Sequence, residues 1–447
     1  MNPHQSRRQF LRAAAALPLL GAGFNIHVRS ADSALPFATA NEKINKARDA
    51  ALKILKPTPK QLEHGLRLHA ESLVFESYGF APRCAVDGVA FAAEMSAGAS
   101  EQELADLREE MTMSRCATDA AERREFLEAF RSAGVTCIFQ NAGEEGNDPL
   151  RLLKRLAHFT KTTDLLRGEI FKAVRADDVI AAKRDGRLCL CFTGNGVPLV
   201  QQWNSVRDEL RHIRLFHELG IRMMHLTYNR RNPLGDGCGE PSDGGVSDFG
   251  RAAIAEMNRI GVIVDVAHSG WRTSMEAAKA SSKPMVASHT VAAALNKHIR
   301  AKPDEVLRAV CDTGGLAGVC CISNFLGGSG DIVAMLDHLD YVVKKFGAEH
   351  AAIGTDIAYV SRNEEAERAK IPKRESKPAA GLSAMRWEAL WPPGSLGGGK
   401  PESESGLSWT NWPLFTVGLH QRGHSDETIR KILGENVLRV VKANAVG

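Results

Sequence analysis

The sequence predicts an α/β fold, a distorted (β/α)8 TIM-type barrel with a long excursion after its eighth strand. Three observations predict it. Short apolar runs recur eight times between residues 73 and 356, separated by segments of helical periodicity. The runs are apolar on both faces instead of alternating, as parallel strands covered by helices are. Polar or ionisable residues gather at or just after several of their carboxyl ends. Eight strand–helix units over about 280 residues fit a closed barrel, with a doubly wound open sheet as the runner-up.

The elements follow in order. "SRRQFLRAAAALPLLGAG" sets Arg7 and Arg8 before a small-residue apolar stretch, and "ATA" (38–40) suits cleavage, so residues 1–40 read as a twin-arginine export signal. Residues 41–447 then form a single domain that opens on a charged helical stretch (41–72). The eight runs are "LVFES" (73–77), "VTCIFQN" (135–141), "LCLCFT" (188–193), "RMMHLT" (222–227), "VIVDVAH" (262–268), "MVASH" (285–289), "GLAGVCCIS" (315–323) and "AAIGTD" (351–356). Between them, "SDFGRAAIAEMNRI" has Ser247 as its N-cap and Gly261 just past its end, and "GSGDIVAMLDHLDYVVKKFG" is an amphipathic outer helix. Residues 357–407, charged and then rich in Pro, Gly and Ser, read as a lid over the barrel mouth or as a tether. "HSDETIRKILGENVLRVVKA" returns to a capped closing helix.

Composition excludes several classes of function. Of 447 residues, 44% are hydrophobic and 25% charged, with a net charge of +4. Residues 1–40 hold four arginines and one aspartate, so the mature chain is close to +1, which gives no electrostatic case for nucleic acid. Beyond the signal no apolar run reaches the roughly 18–20 residues of a membrane span. The nine cysteines form no C-x-x-C pair and read mostly as buried free thiols. No Gly-x-Ser-x-Gly elbow occurs, so a serine nucleophile of the α/β-hydrolase kind is not indicated.

Chemistry is read from the strand ends. Glu76, Thr193, Tyr228, His268, His289 and Asp356 would converge on one barrel mouth, the face where such folds place their reactions. His268 and His289 each close an apolar run, which suits two imidazoles aimed at a common point or two core histidines satisfied by backbone. Glu76 could supply a ligand, but the alternation of its strand favours a supporting role behind the site. His69, before the first strand, lies at the wrong end of the barrel and reads as structural.

"LGIRMMHLTYNRRNPLGDG", "DFGRAAIAEMNRIGVIVDVAHSG", "SKPMVASHT", "AAIGTD" and "WPLFTVGLHQRGHSDETIRKILGENVLRV" together resemble the membrane (renal) dipeptidase family of amidohydrolase-type barrels, over roughly residues 65–440. That family hydrolyses dipeptides at a pair of zinc ions. The resemblance implies His268 and His289 as ligands of one zinc, Asp356 near the reactive water and Arg300 as the clamp on the substrate carboxylate. It also exposes departures. Tyr78 and Phe80 stand at the usual His-x-Asp ligand pair, Thr193 at the bridging glutamate, and Tyr228 at the histidine that polarises the substrate carbonyl. A phenol with a pKa of about 10 is a poor zinc ligand and Phe is none, so the first metal site should be lost.

What the resemblance implies is therefore an exported metallodipeptidase-like hydrolase of small amides, a dipeptide or N-acyl amino acid, acting in the periplasm or outside the cell. A single Zn2+ would be held by His268, His289 and Asp356, with Asp356 and Tyr228 catalytic and Arg300 and Tyr228 binding substrate. A homo-oligomer stays open. The alternative is a non-catalytic barrel that binds a small ligand or partner through the same mouth.

Overall fold

Eight short parallel strands are laid down one after another around the computed structural model, which describes residues 37–143, 147–373 and 401–446. They are β1 (Phe75–Gly79), β2 (Cys137–Asn141), β3 (Leu188–Gly194), β4 (Ile221–His225), β5 (Ile263–Asp265), β6 (Val286–Ala292), β7 (Leu316–Val319) and β8 (Ala351–Ile353). Each pairs with the next in parallel, so spatial order equals chain order, and helices fill every crossover. This is the (β/α)8 TIM-type barrel expected, nearly closed, with all eight runs recovered. Two short strands escaped the sequence reading: Ile170–Lys172 pairs with β3, and Ala301–Lys302 pairs with β6.

Residues 35–447 form one compact unit. The signal assigned to 1–40 lies almost wholly outside the described residues, as does the middle of the 357–407 excursion (374–400). No described helix is long and apolar enough to cross a membrane.

Alternation along the strands separates two cores. Phe75, Cys137, Phe139, Cys189, Cys191, Met223, Ile263, Val286, Leu316 and Ala352 fill the interior of the barrel. Their neighbours Ile138, Leu190, Phe192, Met224, Val264, Ala287 and Ile353 point out against the helices. Val437, Val440 and Val441 of the last helix (Asn436–Asn444) pack with the interior set and close one end. The helix ends obey local chemistry. Ser247 accepts from Gly250 N–H at the start of Asp248–Ile260, and Gly261, at φ +88°, ends it. Eight of the nine cysteines are buried and all are free thiols.

The seam between β1 and β8 carries no ladder among the described residues and is closed by a side chain. Glu76 lies inside β1, not at its end, and is fully buried. Its carboxyl is hydrogen-bonded to the Thr355 N–H (3.0 Å), the Thr355 hydroxyl and the Trp409 indole N–H (2.8 Å). Beyond it, Asp356 N–H reaches Tyr78 C=O at 3.4 Å. Burial pushes the Glu76 pKa up to about 8, against the pull of these bonds and with help from the Asp356 charge. A folded pKa above the unfolded one means that the native state holds the proton more tightly. Its contribution to stability is complete below about pH 4.5 and is lost as pH rises towards 8. Thermal melts should show a Tm that falls from pH 5 to 8. In Glu76→Gln the Tm should be lower throughout, because one amide N–H faces a donor, yet flatter over that window. An equal slope in both proteins would remove the proton from this seam.

Candidate metal centre

β4 and β5 end side by side, level with the start of β6, and the three strands bring four ionisable side chains together. His225 is the last residue of β4 and Asp265 the last of β5, and the parallel register makes them direct lateral partners. His289 lies within β6, and His268 follows β5 by three residues. His225, Asp265 and His289 are fully buried, and His268 is 4% exposed.

Hydrogen bonds fix the proton on each of the two predicted imidazoles. The Ser288 hydroxyl donates to Asp265 Oδ2, so at 2.8 Å it must accept from His289 Nδ1–H. Asn229 Oδ1 lies 2.7 Å from His268 Nδ1 and accepts its proton. Both Nε2 atoms are thereby left as bare lone pairs, and they face one another at 2.9 Å. Burial and the nearby Arg300 charge hold both imidazoles well below pKa 6.5, hence neutral. Two inward-facing nitrogen lone pairs with oriented outer nitrogens are the arrangement that suits a divalent cation, so these residues fit the metal the resemblance implied. Asp265 is anchored as an anion. Burial raises its pKa, but the His225 ring and the Ser288 bonds overcome this and bring it below the usual range. Its Oδ1 accepts from Ala267 N–H (2.9 Å) and Ser288 N–H (3.1 Å).

Aromatic rings occupy the places where ligands were missed. Tyr78 stacks on His289 with centroids 3.9 Å apart and planes 17° apart, and its hydroxyl donates to Asn195 Oδ1 at 2.7 Å. Burial, with the Asp356 and Tyr228 charges, lifts its pKa well above 10, so it stays a neutral phenol. Phe80 meets Tyr78 edge-on. The Thr193 hydroxyl is committed to Met223 C=O at 3.0 Å. Tyr228 is half-buried and stacks on His268 at 4.3 Å. Each imidazole is thus braced by a tyrosine face.

Arg300 is 3% exposed, and one terminal N–H donates to His289 C=O at 3.2 Å. Its guanidinium lies over Phe325, its Nε has no partner, and no carboxylate of the described residues pairs with it. Asp356, half-buried, holds a left-handed backbone (φ +58°) just past β8, a conformation uncommon for a side-chain-bearing residue and often found at functional sites. It is close enough to raise the Tyr78 and Glu76 pKa values.

Among the described residues, two groups of three ligand-type side chains have atoms all within 4.8 Å of one another: His225–Asp265–His289, and His64–His420–Asp426 near the surface. Asp356 belongs to neither, so the structure does not gather it with His268 and His289 as one three-residue set. His225 and Asp265 escaped the sequence reading, although each is an ionisable residue set among apolar neighbours in its run. His69 is structural as expected, its ring bonded to Thr416 Oγ1 (2.7 Å) and Ala133 C=O (2.9 Å).

The sequence model of the membrane dipeptidase family (peptidase family M19) matches residues 91–366. The chain belongs to this family. As a membrane dipeptidase family member it is 27% identical over 276 residues to the dipeptidase tcpJ of Claviceps purpurea, covering 60% of this chain and 54% of that protein. The chain therefore spans about half the length of that curated relative. Solved structures of similar fold include an amidohydrolase from Pseudomonas aeruginosa (TM-score 0.62, 23% identical, covering 85% of this chain and 98% of that one). The probable dipeptidase PvdM from the same organism superposes with a TM-score of 0.60 at 18% identity, over 87% and 99% of the two chains. A metallo peptidase from Rhodobacter sphaeroides, liganded with a phosphinate mimic of the dipeptide L-Ala-D-Ala, does so at 0.58 and 17%, over 84% and 100%. At these identities the likeness carries the fold. The membrane dipeptidase family is one of metal-dependent, dipeptidase-like hydrolases.

Proposed function

We propose that this chain is an exported metal-dependent hydrolase of small amides, with a dipeptide or N-acyl amino acid as substrate. Residues 41–447 act as one catalytic domain, with the 357–407 excursion as its cover, and a twin-arginine signal at 1–40 directs it to the periplasm or beyond. The observation that carries this reading is the pair of bare Nε2 atoms of His268 and His289, 2.9 Å apart, beside a buried arginine without a carboxylate partner among the described residues. One zinc ion at the two imidazoles would supply Lewis-acid activation of water near neutral pH.

The chain's own residues do the rest. Asn229, and Ser288 with Asp265, hold the two rings in the tautomer that turns Nε2 inward. Arg300 binds the substrate carboxylate in a forked, charge-assisted pair and so sets the scissile amide against the two imidazoles. Tyr228, at the mouth, donates its hydroxyl to the carbonyl oxygen as negative charge develops there. Asp356 takes the proton from the attacking water and returns it to the leaving amine.

Zinc-loaded protein given a panel of L,L- and L,D-dipeptides and N-acyl amino acids should release free amine. Chelation should stop the release and added zinc should restore it. A folded, zinc-loaded protein inert to the whole panel would sink the proposal. The non-catalytic reading is favoured by one observation, the filling of the Tyr78, Phe80 and Thr193 positions by packed, hydrogen-bonded side chains. It predicts a folded protein that takes up no metal.

A further inference from the structure

Within this membrane dipeptidase family member, His225 has no accounted role. Its ring is wholly buried at the end of β4, and among the described residues neither Nδ1 nor Nε2 has a hydrogen-bond partner. Nε2 nevertheless lies 2.6 Å from Asp265 Oδ2. The approach is that of an ion pair, yet the ring is turned off the line that a hydrogen bond requires. A protonated ring would bury two N–H donors with no acceptor in line. A neutral ring with its proton on Nδ1 would press a nitrogen lone pair against a carboxylate oxygen. A cation between the two atoms satisfies both.

His289 completes the set. Its ligand atom lies within 4.8 Å of those of His225 and Asp265, and all three residues are fully buried. The ring centroids of His225 and His289 are 5.4 Å apart, and those of His225 and His268 are 5.2 Å apart. Asp265 Oδ1 is fully engaged by backbone N–H groups, which leaves Oδ2 as the oxygen turned towards the imidazoles. Two imidazoles and one carboxylate are a donor set for a first-row divalent ion, with zinc or iron(II) as its usual occupants.

We propose that His225, Asp265 and His289 form the metal-binding set of this protein. The carboxylate ligand would then come from the end of β5 rather than from Asp356, whose part would be proton transfer. His225 and Asp265, on the ends of two adjacent strands, would thus join His289 in place of donors missing at the Tyr78, Phe80 and Thr193 positions. The inference rests on the metal-dependent reading above.

A zinc-edge anomalous difference map from crystals of the zinc-loaded wild-type protein tests it without a variant. The peak is expected in contact with His225, Asp265 and His289. A peak bounded by His268 and Asp356, away from His225, would overturn this assignment and leave the metal-dependent reading standing. A protein that binds no zinc would overturn both. In solution, His225→Ala should weaken zinc at least about 100-fold against a chromophoric chelator, the upper end of what even an outer-sphere change costs. It should also abolish the visible absorption of the cobalt-loaded form. Asp356→Asn should leave zinc affinity within about threefold of wild type. His225→Asn guards against misfolding of the alanine variant. If either folded His225 variant kept wild-type affinity while Asp356→Asn lost it, the assignment would fail.

Discussion

Replacing His289 by alanine is expected to remove bound zinc and to lower kcat/KM for a dipeptide by a factor on the order of 10³ or more. His289 is tied into the centre on several sides. Its Nε2 faces that of His268 at 2.9 Å, its Nδ1 donates to the hydroxyl that binds Asp265, and the ring groups with His225 and Asp265. Its ring carries Tyr78 on one face, and its carbonyl holds Arg300. Alanine therefore removes a donor that every arrangement of the metal requires, and it leaves a cavity against the tyrosine. The cavity alone would lower Tm, so activity cannot be the sole readout. A ligand that binds only the native state raises Tm. Saturating zinc should raise the Tm of the wild type and leave that of a folded His289→Ala unmoved. A variant that melts higher with zinc, or retains a stoichiometric ion, would break the case for His289 as a ligand.

The second large effect has opposite signs in activity and stability. Arg300→Met keeps an unbranched apolar stem and removes a buried charge that has no carboxylate partner among the described residues. A hydrogen bond to a charged group is worth about 1.5–3 kcal/mol. Loss of the clamp should then cost roughly 10- to 100-fold in kcat/KM on substrates with a free carboxylate. Substrates with that carboxylate amidated should be hydrolysed equally by both proteins. Stability should hold or rise, because an apolar replacement of an unpaired buried charge is often neutral or stabilising. A variant that loses both substrate types alike would show that Arg300 holds the centre together and does not select the substrate.

Much of the fold was legible because parallel strands covered on both faces leave uninterrupted apolar runs. All eight runs were found, and the Ser247 and Gly261 caps followed from hydroxyl and glycine chemistry that acts over three or four residues. Boundaries were less legible. "VIVDVAH" reads as a strand to His268, but pairing stops at Asp265, whose carboxylate takes the Ala267 N–H and turns the chain. The two extra strands, of three and two residues, are too short to carry a periodicity. Glu76 read as support for the mouth because it falls near the end of its run. In the structure it closes the seam of the barrel, a role that exists only once the first and eighth strands meet.

The sequence by itself determined the eight strand–helix units and the two histidines that close apolar runs, which follow from residue type and spacing along one chain. The loss of the first metal's usual donors is what the family resemblance implies. The tertiary structure decided which acid stands beside those histidines and that His225 joins them. Lateral register between β4 and β5 makes His225 and Asp265 neighbours although forty residues of chain run from one to the other. Within its own run each reads as a polar residue among apolar neighbours. Their chemistry appears only when barrel closure buries them side by side, where water can no longer satisfy either.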